Sequence, residues 1–222
     1  MKRTLYLNIV LALSLILTFT SCKKELITAN GRVITEDRNV GQFTGISSGG
    51  NTPVQIRYGR SYNISVKGSA NIVPYFTTRV VNNKLNIGFA EYANIRHDDI
   101  EVVITMPTFN RILLSGSGKV EIEDGFYALP FLNVNISGSG DVLLNHSLNA
   151  QEVDIEISGS GKADFKKLNV KYADVTISGS GNAFIQVEEK LKARISGSGK
   201  IYYAGNPLIE QYISGSGKVI RF

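Results

Sequence analysis

Apolar and polar residues alternate along much of the chain, and the alternation persists through stretches whose composition should break it. Val134, Ile136, Val142 and Leu144 fall on even positions, while Asn135, Ser137, Ser139 and Asp141 fall on odd ones. Gly138 and Gly140 lie between them, so a single parity runs through "NISGSGDV" at 135–142. Strict alternation is the signature of a half-buried strand. Ile136 facing inward would turn both glycines in and both serines out. Glycine suits an inward position where the backbone bends or nears a neighbour. A flexible glycine-serine linker would have no such flanks.

The tetrapeptide Ser-Gly-Ser-Gly begins at Ser115, Ser137, Ser158, Ser178, Ser196 and Ser214, at intervals of 22, 21, 20, 18 and 18 residues. Its glycines are Gly116 and Gly118, Gly138 and Gly140, Gly159 and Gly161, Gly179 and Gly181, Gly197 and Gly199, Gly215 and Gly217. The residue before each copy is Leu114, Ile136, Ile157, Ile177, Ile195 or Ile213, and the second residue after it is Val120, Val142, Ala163, Ala183, Ile201 or Val219. A repeat near 20 residues, with two strand segments and one recurrent corner, predicts a solenoid whose units bury their apolar stripes only by stacking. With β alternation and no helical period, the expected architecture is all-β: a right-handed parallel β-helix-like solenoid with Ser-Gly-Ser-Gly corners and a less regular N-terminal part. Six rungs would occupy roughly 25–30 Å of axis. The exposed serines could bond to their equivalents one rung away.

The first half alternates less regularly, in "VQIRY" (54–58), "YNISVKG" (62–68), "RVVNNKLNIGF" (79–89) and "DIEVVITMP" (99–107). Asn82-Asn83 predicts a hairpin turn, because asparagine tolerates positive φ. "ISSGGN" (46–51) and "VKGSAN" (66–71) read as degenerate copies of the corner. The expected organisation is a signal peptide at 1–21, a lipidated tether at 22–40 and one solenoid domain at 41–222, irregular over 41–110 and regular over 111–222.

The N-terminus accounts for the tether. Lys2 and Arg3 precede the apolar "LYLNIVLALSLILTFT", which ends at "SC" with the only cysteine, Cys22. A basic segment, a short apolar segment and a small residue before the cut describe a secretory signal. A cysteine directly after that small residue resembles the lipobox of bacterial lipoproteins, with Phe19 where leucine is usual. The resemblance implies that Cys22 carries the fatty acyl chains, palmitate among them, and becomes the first residue of an envelope protein, with the outer membrane as the expected site. The apolar core Ile9–Phe19 is short of the ~20 residues a membrane span needs.

Composition adds exclusions. With one cysteine there is no disulfide framework, so packing and backbone pairing must carry stability. Removing Lys2 and Arg3 from 24 basic residues leaves 22 against 19 acidic ones, too few and too scattered for nucleic-acid binding.

An opening phenylalanine strand, a "NNKLNI" hairpin, an "ITMP" segment and recurring "SGSGKV", over about 43–222, together resemble the head-domain family of putative auto-transporter adhesins (GIN type). That resemblance implies a right-handed β-helix-like body at the cell surface or in the periplasm. It brings no established activity and no catalytic residues.

Candidate chemistry is sparse. The residues just after the motifs, Lys119, Asp141, Lys162, Asn182, Lys200 and Lys218, form a mainly basic column, poor for binding a cation or transferring a proton. Asn133, Asp154, Asp174, Lys192 and Glu210 form another, in which Asp154 faces Asp174. Two facing carboxylates could bind Ca²⁺ or be solvated and flanked by lysines; lacking a third and fourth oxygen ligand, the second reading is favoured. His97 and His146 stand apart, without metal-ligand spacing. The motif serines have no base histidine nearby in the repeat, which argues against nucleophilic use. No cofactor is expected.

The third residues after the motifs, Glu121, Leu143, Asp164, Phe184, Tyr202 and Ile220, become apolar toward the C-terminus. Either they form a contact surface or the loop "EDGFYALPF" folds over them. The chain stops at "SGSGKVIRF", leaving a strand edge that another part of the chain covers or that serves self-association. The expected function is a non-catalytic envelope module for binding, adhesion or scaffolding, with an unidentified protein or glycan ligand and membrane attachment through Cys22. The alternative is a glycan-active β-helix enzyme resembling polysaccharide lyases.

Overall fold

The computed structural model describes residues 26–222, which fold almost entirely as strands stacked into parallel coils. Cys22 and the signal segment lie outside the described residues. The irregular part contains β1 (Leu26–Thr28), β2 (Val33–Arg38), β3 (Gly45–Gly50), β4 (Pro53–Tyr58), β5 (Asn63–Ser69), β6 (Phe76–Val81), β7 (Lys84–Phe89), β8 (Asn94–Arg96) and β9 (Glu101–Met106). The regular part contains β10 (Arg111–Gly116), β11 (Lys119–Ile122), β12 (Leu129–Gly138), β13 (Asp141–Leu144), β14 (Leu148–Gly159) and β15 (Lys162–Gly179). It ends with β16 (Asn182–Gly197), β17 (Lys200–Gly205), β18 (Leu208–Gly215) and β19 (Lys218–Arg221).

Corners stack on corners without slipping. Gly116 pairs with Gly138, and the ladder continues through Gly159, Gly179 and Gly197 to Gly215. "ISSGGN" extends the stack by one coil, since Gly50 pairs in parallel with Gly116. "VKGSAN" does not: it lies in and after β5, which runs antiparallel to β2 and β9. The coil β3–β4 is not terminal either. β7 and β9 pair with its outer side, so the chain folds back beneath its first coil before climbing through β10. The β6–β7 hairpin turns at Asn82 and Asn83, with φ of 51° and 60°, as the left-handed tolerance of asparagine requires.

The coils have three walls, and burial marks the bends. In β15 the alternation is interrupted twice by consecutive exposed pairs, at Lys166-Lys167 and Lys171-Tyr172. Between them Leu168 and Val170 face the core on a short wall of their own, stacked on Leu148 and Ala150. The inward column Leu114, Ile136, Ile157, Ile177 and Ile195 is buried as expected. Its last member, Ile213, remains 41% exposed because no further coil covers it.

The corner glycines are needed for two different reasons. The second glycine of each motif is buried except Gly217 in the last coil, which is half-buried, and a Cβ on Gly161 would stand 2.6 Å from Ile136 Cγ2 inside the core. The first glycine differs from the simple inward expectation, being half-buried, or exposed at Gly116 and Gly215, with φ between +115° and +126°. A Cβ there would point along the stack, 2.5 Å from the Gly116 carbonyl oxygen in the case of Gly138. That carbonyl accepts from the Ser139 and Gly140 amides of the next coil, at 2.9 and 3.0 Å. The corner is thus a backbone ladder packed too closely for side chains. The motif serines are exposed, and among the described residues one inter-coil hydroxyl pair forms, Ser198 with Ser216 at 3.0 Å.

The irregular end is tied by polar clamps as well as by Phe43, Phe76 and Phe109 in the core. Asp99 accepts from the Ser69 amide at 2.9 Å and from its hydroxyl at 2.7 Å, and the amide bond holds its carboxyl below the usual range. Arg38 donates to the carbonyls of Phe76 and Val73.

Candidate functional site

Two outward features emerge from the stacked register. One is a charged column on the wall before the corners. It runs from Lys84 through Gly45, Arg111, Asn133, Asp154, Asp174 and Lys192 to Glu210. Asp154 and Asp174 face each other as expected, but each is engaged by other partners. Arg194 donates to Asp174 at 2.6 Å and Lys192 lies 3.9 Å from it, while Asn133 donates to Asp154 at 3.2 Å. Among the described residues no group of three or more His, Cys, Asp or Glu side chains could hold a metal ion. His97 sits in a left-handed turn with φ of 54°.

The Asp154 carboxyl is pushed up from the usual aspartate range, first by loss of water and second by the facing Asp174. With a raised folded pKa, the folded protein holds the proton more tightly than the unfolded chain does. The resulting penalty is absent below the unfolded pKa and complete above the folded one. Asp154→Asn is therefore expected to raise the denaturation midpoint at neutral pH and to lose that advantage in acid. Midpoints measured across pH check this; a variant less stable at neutral pH would contradict it.

The other feature is apolar, on the wall after the corners. Glu121, Leu143, Asp164, Phe184, Tyr202 and Ile220 stand in one row. The Phe184 and Tyr202 rings stack with centroids 4.5 Å apart and planes 4° from parallel. Phe222 meets the edge of Phe184 at 6.4 Å, and Lys166 sits 4.4 Å over the same ring. The loop "EDGFYALPF" does not cover this row. Its Phe126 packs against Phe109 and Tyr58 instead, at the irregular end.

The row runs into an open coil. β18 pairs only with β16, and β19 only with β17, so no other segment of the described chain covers the C-terminal edge. Leu208, Tyr212 and Phe222 are more than half exposed there. Gln211 replaces the apolar residues of the inward column Val134, Ile155, Val175 and Ala193. A polar residue at an inward position of a last strand softens an edge.

Comparison with known proteins follows the same outline. The family described as "Putative auto-transporter adhesin, head GIN domain" matches residues 42–207. The chain belongs to this family. Its fold recurs in a crystal structure described as a putative adhesin from Bacteroides fragilis, with TM-score 0.73 and 23% identity, covering 88% of this chain and all of that one. A putative adhesin from Parabacteroides merdae is similar at TM-score 0.60 and 20% identity, covering 89% and 99% of the two chains. A Parabacteroides distasonis structure described as a putative lipid binding protein gives 0.59 and 20%, covering 89% and 100%. No curated protein matches the chain. These identities speak for the fold, and family membership fits an adhesin-like, non-catalytic domain of the cell envelope or surface.

The column members Lys84, Gly45 and Arg111 were not legible in the sequence. They come from three separated segments, and only Arg111, four residues before Ser115, carried the repeat's spacing as a signal.

Proposed function

We propose that this chain is a non-catalytic binding module of the bacterial envelope, held by lipid at Cys22 in the outer membrane. It would present its apolar row and C-terminal coil to a partner, which is a protein, a glycan or a second copy of itself. The observation that carries this reading is the row Phe184, Tyr202, Ile220 and Phe222, which stays uncovered and continues into an unpaired strand edge. Apolar area beside an open edge is a contact surface of the kind monomeric proteins otherwise avoid. Self-association through that coil is the contact expected first.

The test is Ile220→Lys with Phe222→Lys. Wild-type chain is expected to form oligomers in sedimentation, and the double variant to be a folded monomer by sedimentation and circular dichroism. A wild type that stays monomeric at high concentration sinks the self-contact. Turnover of a polysaccharide, abolished by Asp154→Asn or Asp174→Asn, would restore the enzyme alternative.

A further inference from the structure

At the end opposite the open coil, the charged column Lys84, Gly45, Arg111 and Asn133 has no acidic member among the described residues. Further along it, Lys192 meets Asp174, and in the neighbouring row Lys190 pairs with Glu210 at 2.8 Å. Lys84 and Arg111 instead stand on either side of Gly45, and neither forms an ion pair with a described residue. The missing side chain matters. A Cβ on Gly45 would stand 3.4 Å from Lys84 Cγ and 3.7 Å from Arg111 Cβ, so the two stems close over bare backbone and bury it.

Arg79, exposed on β6 beside Asn86, adds a third cation. Arg79, Lys84 and Arg111 line one depression with Asn82, Asn86 and Val81. A second depression shares Arg79 and Asn86 and extends past the carboxylate of Glu91 to Tyr92, so the cationic part is the first depression. Val81 is 46% exposed and Tyr92 68%. Three cations in a cleft offer charge-assisted hydrogen bonds to a phosphoryl oxyanion, and an exposed tyrosine beside them suits the headgroup level of a bilayer.

We propose that this cleft binds phosphoryl oxyanions, and that its ligand is the phosphate of anionic lipid headgroups in the membrane that carries the protein. The orientation rests on the lipid anchor proposed above. Cys22 precedes Leu26, the first residue of β1, by four positions, and four extended residues span at most ~14 Å. Attraction to an anionic surface falls off within a Debye length, about 8 Å in physiological salt, so the cleft uses it only where the anchor holds that face against the membrane. The open coil would then point away from the membrane, where a partner can reach it.

The experiment uses the full lipidated chain in bilayers of phosphatidylcholine, alone or mixed with phosphatidylglycerol. Flotation after a high-salt wash reads the anchor, and amide hydrogen exchange reads the cleft. Slower exchange across β6 and residues 90–92, seen only with phosphatidylglycerol and lost in Arg79→Gln/Lys84→Gln/Arg111→Gln, is the expected result. Equal exchange in both bilayers, with the chain still floating, overturns the headgroup site and leaves the anchor standing. A chain that washes off overturns the anchor and, with it, the orientation.

A further arm adds inorganic phosphate to the detergent-solubilised chain. Slowing of the same amides there, with none from phosphatidylglycerol, assigns the site to free phosphate and overturns the lipid source. Slowing by an anionic polysaccharide alone overturns the proposal.

Discussion

Replacing Gly138 with valine is expected to cost at least ~3 kcal/mol, because backbone strain and collision act on the same atom. At φ of +121° an L side chain is already strained. Its first carbon would then stand 2.5 Å from the Gly116 carbonyl oxygen, inside any real contact distance. That oxygen cannot retreat, since it is the acceptor for the Ser139 and Gly140 amides. Gly138→Ala should therefore carry most of the valine penalty, the collision being made by Cβ itself. Ser139→Ala, at an exposed position, should cost about 1 kcal/mol or less. Gly49→Ser offers a control, because nothing lies within 4 Å of a Cβ there. Denaturant midpoints compare the set, and equal tolerance at Gly138 and Ser139 would refute the account of the corner.

The corner was readable because its chemistry is local: glycine is demanded at each copy by the glycine one coil before. The remaining bends were not, although they left a trace. Lys166-Lys167 and Lys171-Tyr172 contain no glycine or proline, only two exposed residues in succession, and a single slip of parity resembles noise until several coils are aligned. The chain order at the irregular end was also hidden. β7 and β9 lie outside β3 and β4 through pairings between distant segments, which alternation cannot specify. Alternation predicts that a strand has a buried face, not which strand becomes its neighbour. The same limit separates the two surfaces. The aromatic row repeats at fixed spacing from a visible motif, whereas the cationic cleft gathers Arg79, Lys84 and Arg111 from a hairpin and a later strand.

Truncating Phe165 is expected to have the second large effect. Phe165 is fully buried, and in its own coil two other inward positions hold only Ala163 and Ala173. The neighbouring coil is also short of volume, with Ala183 and Ala193 facing in. The phenyl ring therefore fills space that these alanines leave empty, as close packing of large against small side chains requires. Phe165→Ala would leave three alanines in one coil, and the surrounding walls cannot collapse onto the void because each is held by ladders to the coils on both sides. The expected loss is ~3–5 kcal/mol, the range for deleting a buried phenylalanine that leaves a cavity. Phe165→Leu keeps much of the volume and should recover more than half of it. Leu144→Ala, removing a smaller side chain from a position 5% exposed, should cost less than Phe165→Ala. Denaturant unfolding of the three variants decides it: a Phe165→Ala midpoint within error of wild type would mean the ring is not the filler of that coil.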